Sequence, residues 1–460
     1  MKPNLMKRML FVLLVLILAL SATGCGSTNA TPATGDDGSA AVAGNDTEVP
    51  AAVEDNTESS ASADSGEIVI WAWSESEING LAEKFNETYP DIKLKFVPVE
   101  SNGYLAKLQN ALVTGSEVPD VTLQEVGARG AMYALDIWEN LEAAPYNFDR
   151  NIVYPQVLPV MTNSNDEIVG IERELNPSGM CYKRDLALEY LGTDDPDELG
   201  AKISDWDAVI AEGARIAAET NDQVKLFPGL WDVNNVLYSQ YVDPVFVGDT
   251  ANASAFFKYE GDIFLRMMEA NMVGNVQYRS PSWNTSFVEA DNYILYPCAP
   301  WSPIWIVKAN DPDSTGRWGM TTAPLRGYSW GGTAYGILKE AKNKDLAWKF
   351  IEWATTTEEG TKACEEVVGA IVSRQASYAN GFPENPDPYF AGESTNLYLM
   401  ENSAPTMKIR ALSQYDVVLK DVSIYMIEEL YNNPGMTLDE FVNTALTEMK
   451  NKLPVEMTVE

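Results

Sequence analysis

This sequence predicts an α/β protein built on a parallel sheet and spread over two domains, on three observations. Strand, helix, strand, helix and strand patterns follow one another between Glu67 and Gln124. The 394 residues from Glu67 to Glu460 are more than one core normally serves. No fixed-period repeat is visible, which excludes a solenoid.

The elements justify themselves in order. Glu67-Ile-Val-Ile-Trp-Ala72 is β-branched and apolar, as a strand should be. Ser74 to Glu77 forms a capping box, and Ile78, Leu81, Ala82 and Phe85 follow at helical spacing until Tyr89-Pro90 stops the helix. Ile92 to Val99 is a second strand. Asn102 to Thr114 is a second helix, with Tyr104, Leu105, Leu108 and Leu112 on one face and Gly115 as its cap. Asp120 to Gln124 is a third strand. This order means right-handed βαβ units and a parallel sheet, with ligands expected at the carboxyl ends of its strands. Further on, Ser204 caps a helix carrying Trp206, Ile210, Ala214 and Ala217. Residues 225 to 300 are rich in aromatics and turn formers and show no clear period. Asn343 to Thr356 is a helix with Leu346, Ala347, Phe350, Ile351 and Ala354 inward. Thr437 to Glu440 is a second capping box, opening a helix with Leu438, Phe441, Val442, Ala445, Leu446 and Met449 on its buried face.

The N-terminus supplies an address. Lys2, Lys7 and Arg8 precede an uncharged, mostly aliphatic run from Met9 to Leu20, which ends in Ser-Ala-Thr-Gly-Cys25. That is secretory-signal anatomy. Twelve such residues span only about 18 Å as a helix, against a hydrocarbon core of about 30 Å. Ala22-Thr-Gly-Cys25 resembles a bacterial lipobox, whose cysteine is diacylated and becomes the new N-terminus, with Ala22 where leucine is usual. Two acyl chains on one residue give stable anchoring. Residues 26 to 66 contain no aromatic residue and no Lys or Arg, so they read as a disordered acidic tether with a reach of about 35 Å. The expected organisation is a lipoprotein signal peptide over 1–24, the lipidated Cys25 with its linker over 25–66, and folded domains beyond.

Composition removes several functions. The net charge is −35, and −38 once the three basic signal residues are gone, which argues against nucleic acid or anionic lipid as a partner. Histidine is absent, which removes Ser-His-Asp and Cys-His nucleophiles and nearly all zinc sites. No catalytic residue, metal or cofactor is expected. Cys181, Cys298 and Cys364 are far apart and odd in number, so at most one disulfide can form, and buried free thiols are expected.

Several segments in order carry a family resemblance. Glu83-Lys-Phe-Asn-Glu-Thr-Tyr-Pro-Asp91 is similar to an "F-x-x-x-x-P" signature, and Gly115-Ser-Glu-Val-Pro-Asp-Val121 to "G-x-x-P-D-V". Tyr182-Lys-Arg-Asp-Leu186 resembles "Y-N-K-D-L", with Lys183 in place of Asn. Trp206 stands as in "T-W-D-E", although Ser204-Asp205 replaces the Thr, and Ala299-Pro-Trp301 resembles "G-P-W". Ser329-Trp-Gly-Gly-Thr333 and Asn343 to Phe350 resemble a late glycine loop and an "A-x-x-F" helix. Together, over roughly residues 67 to 380, they resemble the solute-binding proteins of sugar ABC importers, the maltodextrin-binding-like group. The resemblance implies a two-lobed periplasmic-binding-protein-like (Venus flytrap) fold with discontinuous lobes and hinge strands. The expected crossings lie near Glu172 to Pro177, near Tyr296 to Trp301 and near 325 to 343. The expected lobes are therefore 67–174 plus about 298–342, and about 175–297 plus about 343–460. The implied partners are a mono- or oligosaccharide, ABC permease subunits, and the outer face of the cytoplasmic membrane through the anchor.

A sugar offers apolar C–H faces and a ring of hydroxyls, so its site needs flat aromatics with Asp, Glu, Asn, Gln or Arg beside them. Trp73 and Glu75 follow the first strand, and Gln124 and Glu125 the third, at the ligand edge of the sheet. Glu172 and Arg173 sit at the expected hinge, where a plain salt bridge is the competing role. Trp231-Asp232 and Trp283 stand in turn-rich segments without a core period, and Trp301 and Trp330 fall in the family motifs; for each tryptophan, packing competes with stacking on ligand. Tyr182, Trp206, Trp348 and Trp353 are assigned to packing, and Asp120 to structural hydrogen bonding. Two rivals remain. A sensory or adhesion lipoprotein could share the fold. A glycoside hydrolase needs only two carboxylates, but the βαβ units do not recur eight times as a barrel requires.

Overall fold

The computed structural model describes residues 65–288 and 292–460, so the signal peptide, Cys25 and almost all of the linker lie outside the described residues. β1 (Gly66–Ala72), α1 (Glu75–Thr88), β2 (Ile92–Pro98), α2 (Tyr104–Thr114) and β3 (Val121–Glu125) follow in the expected order. β1 runs parallel to β2, with Gly66 opposite Ile92, and parallel to β3, with Ile70 opposite Val121. Ser74 caps α1 by accepting the Glu77 N–H at 3.3 Å. Only half of the expected box forms, because the Glu77 carboxylate turns inward to Arg173 instead of back to the cap. Gly115 closes α2 at φ +67°, in the left-handed region glycine enters without penalty. Asp120 is structural: it accepts the N–H of Val69 at 2.9 Å and those of Lys342 and Asn343 at 3.1 and 2.8 Å.

α3 (Val126–Tyr133) follows β3 directly, and β4 (Ile171–Glu172) and β5 (Glu174–Leu175) lead out of this body. β6 (Pro177–Lys183) belongs to a second sheet, accompanied by α4 (Trp206–Glu219), α5 (Leu230–Gln240) and α6 (Ala253–Glu269). β7 (Leu295–Cys298), β8 (Trp318–Thr321) and β9 (Tyr328–Ser329) each pair antiparallel with β6. The chain then returns through Trp330-Gly331-Gly332 to β10 (Thr333–Gly336), which lies antiparallel between β3 and β4. The first sheet thus has the order β2-β1-β3-β10-β4. α7 (Lys344–Thr356) and α8 (Glu358–Val368) follow, and β11 (Ile371–Val372) pairs with β5. The chain departs again into α9 (Asp416–Asn432) and α10 (Leu438–Lys452), the latter opened by a complete capping box at Thr437 and Glu440.

Two separate cores define the lobes. The first gathers Ile68, Ile70, Leu81, Phe85, Leu123, Tyr335, Phe350 and Trp353. Phe85 is fully buried, edge-on to Phe350 at 5.4 Å and to Trp353 at 5.2 Å. Its removal would cost about 3–5 kcal/mol. The second core gathers Val209, Phe227, Leu237, Phe256, Phe264, Leu419 and Phe441. A smaller aromatic cluster of Trp283, Phe287, Tyr296 and Trp318 surrounds Cys181 and Cys298.

Four expectations are corrected. Residues 296–301 are not a crossing, because Tyr296 and Cys298 stand in β7 against β6 and the chain stays in the second lobe through Ser329. α7 and α8, expected in the second lobe, pack on the first, since Phe350 and Trp353 close over Phe85. Asp205 rather than Ser204 caps α4, accepting the N–H of Ala208 at 2.8 Å. Cys181 and Cys298, expected as free thiols, form a disulfide between adjacent strands, leaving Cys364 free and buried. Among the described residues no helix is long and apolar enough to cross a membrane.

Candidate ligand-binding cavity

A cavity of about 280 Å³ lies between the lobes, near the lower end of small-molecule sites (about 300–1,000 Å³). Its first-lobe wall is built by one extended stretch, β4 to β5 and on to Asn176. Side chains alternate along a strand, so Glu172, Glu174 and Asn176 face the cavity, whereas Arg173 and Leu175 enter the first lobe. Glu125 joins this wall and caps α3, its Oε2 accepting the Gly127 N–H at 2.8 Å.

Arg129 of α3 holds the wall from behind. Its guanidinium is fully buried, donates to the carbonyls of Gln124 (2.7 Å), Val160 (3.1 Å) and Gly332 (3.0 Å), and pairs with Oε2 of Glu172. Burial pushes the Glu172 carboxyl up, Arg129 pulls it down, and neighbouring Glu174 adds an upward push. Oε1 of Glu172 and Oδ1 of Asn176 are buried without a hydrogen-bond partner. Buried acceptors left unpaired cost about 1–3 kcal/mol each, so these atoms await donors.

The second lobe supplies aromatics. Trp301 donates its indole N–H to the Trp330 carbonyl at 3.2 Å, and the two rings lie 5.1 Å apart at 50°. Tyr278 stands 6.0 Å from Trp330. Gly331, at φ +84°, passes so close that a Cβ would sit 3.0 Å from the Trp301 indole nitrogen. From α5, Asn234 and Tyr238 reach the cavity, and Oδ1 of Asn234 is a third buried acceptor without a partner. Arg410, its guanidinium 5.0 Å from the Tyr238 ring, is fixed by Asp416 at 2.6 Å. Arg279, Lys408 and Lys420 are exposed at the mouth. The site therefore offers flat rings on one side and unpaired acceptors from both lobes.

The model of the bacterial extracellular solute-binding protein family matches residues 71–361 of this chain. The chain belongs to that family. The fold of this solute-binding protein is also that of solved structures of low identity. An extracellular solute-binding protein of family 1 superimposes with a TM-score of 0.74 at 18% identity, over 84% of this chain and 99% of that one. The galacto-N-biose-/lacto-N-biose I-binding protein of the ABC transporter from Bifidobacterium longum, in complex with lacto-N-biose, gives 0.69 at 15%, over 86% and 99%. The sugar-binding protein MalE from Xanthomonas citri gives 0.66 at 15%, over 84% and 97%.

In this solute-binding protein, Glu125, Glu172, Trp301 and Trp330 line the cavity. The other candidates do not. Gln124 points to the opposite side of β3 from Glu125, where its amide accepts from the Tyr133 hydroxyl at 3.0 Å and donates to the Val169 carbonyl at 3.2 Å. Gly170 and Gly336 leave room for that amide. Arg173 is buried between Glu77 and the Tyr335 hydroxyl, the latter at 3.1 Å. Trp73 is half-buried, edge-on to Tyr104 at 6.2 Å, and Glu75 is exposed in the first turn of α1. Trp231 stacks on Tyr431 at 5.2 Å and 14°. Asp232 is fully buried and accepts the Trp283 indole N–H at 3.0 Å, while Trp283 packs behind Tyr278 at 4.8 Å. Cys25 lies outside the described residues. Sequence reasoning missed Glu174, Asn176, Asn234, Tyr238, Tyr278 and the 408–416 segment. For Glu174 and Asn176 a signal was present, since polar residues recur at every second position from Glu172 to Asn176.

Proposed function

We propose that this protein captures a carbohydrate in the interlobe cavity and delivers it to the permease subunits of an ABC importer, held at the outer membrane face by a diacylated Cys25. The observation that carries this reading is the pairing of the Trp301–Trp330 wall with three buried acceptors lacking partners, Glu172 Oε1, Asn176 Oδ1 and Asn234 Oδ1. Rings stack on the C–H faces of a pyranose, and its hydroxyls donate to such acceptors. Family membership and the sugar ligands of the structural relatives support the same reading. The action is binding, not catalysis: ligand bridges the lobes and favours the closed arrangement by its differential affinity for closed over open.

Isothermal titration of the folded chain against mono- and oligosaccharides tests it. At least one sugar should bind, and Trp330→Ala should weaken that sugar about tenfold or more. A full panel without heat, or a Trp330→Ala protein binding as tightly as the parent, contradicts the proposal. The anchor is tested separately: Cys25→Ser should release into the medium a protein that still binds its ligand.

A further inference from the structure

Beneath the first-lobe wall the charges do not balance. Two arginines, Arg129 and Arg173, are buried there with three carboxylates, Glu77, Glu172 and Glu174. Arg129 is committed to Glu172 and Arg173 to Glu77. Glu174 is only 5% exposed, yet among the described residues its ion pair is a 3.6 Å approach to Nε of Arg173, beyond hydrogen-bond reach, on a guanidinium whose Nη1 is given to Glu77. A buried carboxylate that must share its counter-charge with another is under-compensated, and here the open side of Glu174 is the cavity.

The neighbouring atoms want the same thing. Glu172 Oε1, Asn176 Oδ1 and Asn234 Oδ1 are acceptors without partners, on residues at least 95% buried. We infer that the ligand is an amino sugar, or a saccharide carrying one, whose protonated amine lies against Glu174 and completes the buried charge balance. This inference rests on the carbohydrate reading above and names the chemical class within it. The cations Arg279, Lys408 and Lys420 do not reverse the sign of the inner wall, because at the exposed mouth water and salt screen them. The same pair of charges attracts several times more strongly at a partly buried site than in water, so the inner carboxylate outweighs the rim.

The test is titration of the folded chain, at mildly acidic pH where the sugar amine is protonated, with glucosamine, glucose and glucuronate. The β-1,4-linked glucosamine dimer and cellobiose form a second series. In at least one series the amino form should bind about tenfold tighter than its neutral counterpart, a difference of about 1.4 kcal/mol, and glucuronate should bind weakest. Glu174→Gln should bring the amino-to-neutral ratio close to one, whatever it does to the neutral sugar's own affinity. Should that variant not fold, the wild-type ratio alone decides. Neutral sugars binding as tightly as amino sugars overturn the inference and leave the carbohydrate reading standing. Tightest binding of glucuronate overturns it in favour of the rim cations. An absence of binding throughout overturns it, and only a blank across the wider saccharide panel removes the carbohydrate reading as well.

Discussion

The indole N–H of Trp283 donates to one carboxylate oxygen of Asp232 at 3.0 Å, while the other oxygen of Asp232 is buried without a partner. Glu260 repeats the pattern in the same lobe, with Oε2 accepting from the Ser423 hydroxyl at 3.1 Å and Oε1 unpaired. Burial pushes both carboxyls up to about 8, against the smaller downward pull of the Trp283 and Ser423 hydrogen bonds.

A pH dependence follows from these two acids. Unfolded, they titrate near pH 4, so between about pH 4 and 8 the folded protein holds protons the unfolded chain has released. Their contribution to stability is complete below about pH 4 and is lost as pH rises through 8. The double variant Asp232→Asn, Glu260→Gln should therefore gain steadily on the wild type as pH rises across that window. Thermal melts of both proteins from acid to alkaline pH check this, and a stability difference that stays constant with pH refutes it.

Closure should depend on a missing side chain. Gly130 of α3 lies so close to the strap that precedes α9 that a Cβ would meet the Ser413 carbonyl oxygen at 2.2 Å. Gly130→Ala adds about 1 kcal/mol of helix propensity yet pushes away the strap, which packs on the first core through Met407, Ile409 and Leu412 and runs on into α9 of the second lobe. The variant should bind ligand about tenfold more weakly and show reduced ligand-induced compaction in small-angle scattering, with an unchanged or raised melting temperature before ligand is added. Parental affinity and compaction would show that the contact is not used in closure.

The thiols should behave in two ways. The Cys181–Cys298 bridge closes a separation of 117 residues, and its loss through Cys181→Ser, Cys298→Ser should cost about 2–5 kcal/mol in urea unfolding. Cys364 is fully buried, and burial pushes its thiol up to about 12. It should resist alkylation in the native protein and react in denaturant. Alkylation of Cys364 under native conditions would show that the first core opens there.

The βαβ start was legible because its signals are local: an apolar strand, a Ser cap and a Tyr-Pro stop all fall within Glu67 to Pro90. Lobe membership was not. α7 declares itself as a helix through its own period, but the side chain it packs on, Phe85, lies far away in sequence. The site divides the same way. Gln124 and Glu125 are equally well placed at the end of β3, and only the space left by Gly170 and Gly336 turns Gln124 away from the cavity. Trp231 and Trp283 look like stacking platforms because no period claims them, yet Tyr431 and Asp232 do. Glu174 was hidden by its neighbour, since a single Arg beside two Glu reads as one salt bridge until the pleat separates them.

That pleat constrains how such a receptor changes its diet. Along Glu172 to Asn176, every cavity-facing group is one residue from a group buried in the first lobe. Losing or gaining a single residue there would exchange carboxylates for Arg173 and Leu175, replacing an acceptor surface by a cationic, greasy one and driving acids into the core. Substitution at the even-numbered positions alone lets the binding preference drift while the scaffold stays intact. Paralogues with other cargoes should therefore preserve the length of this stretch and vary it at alternate sites.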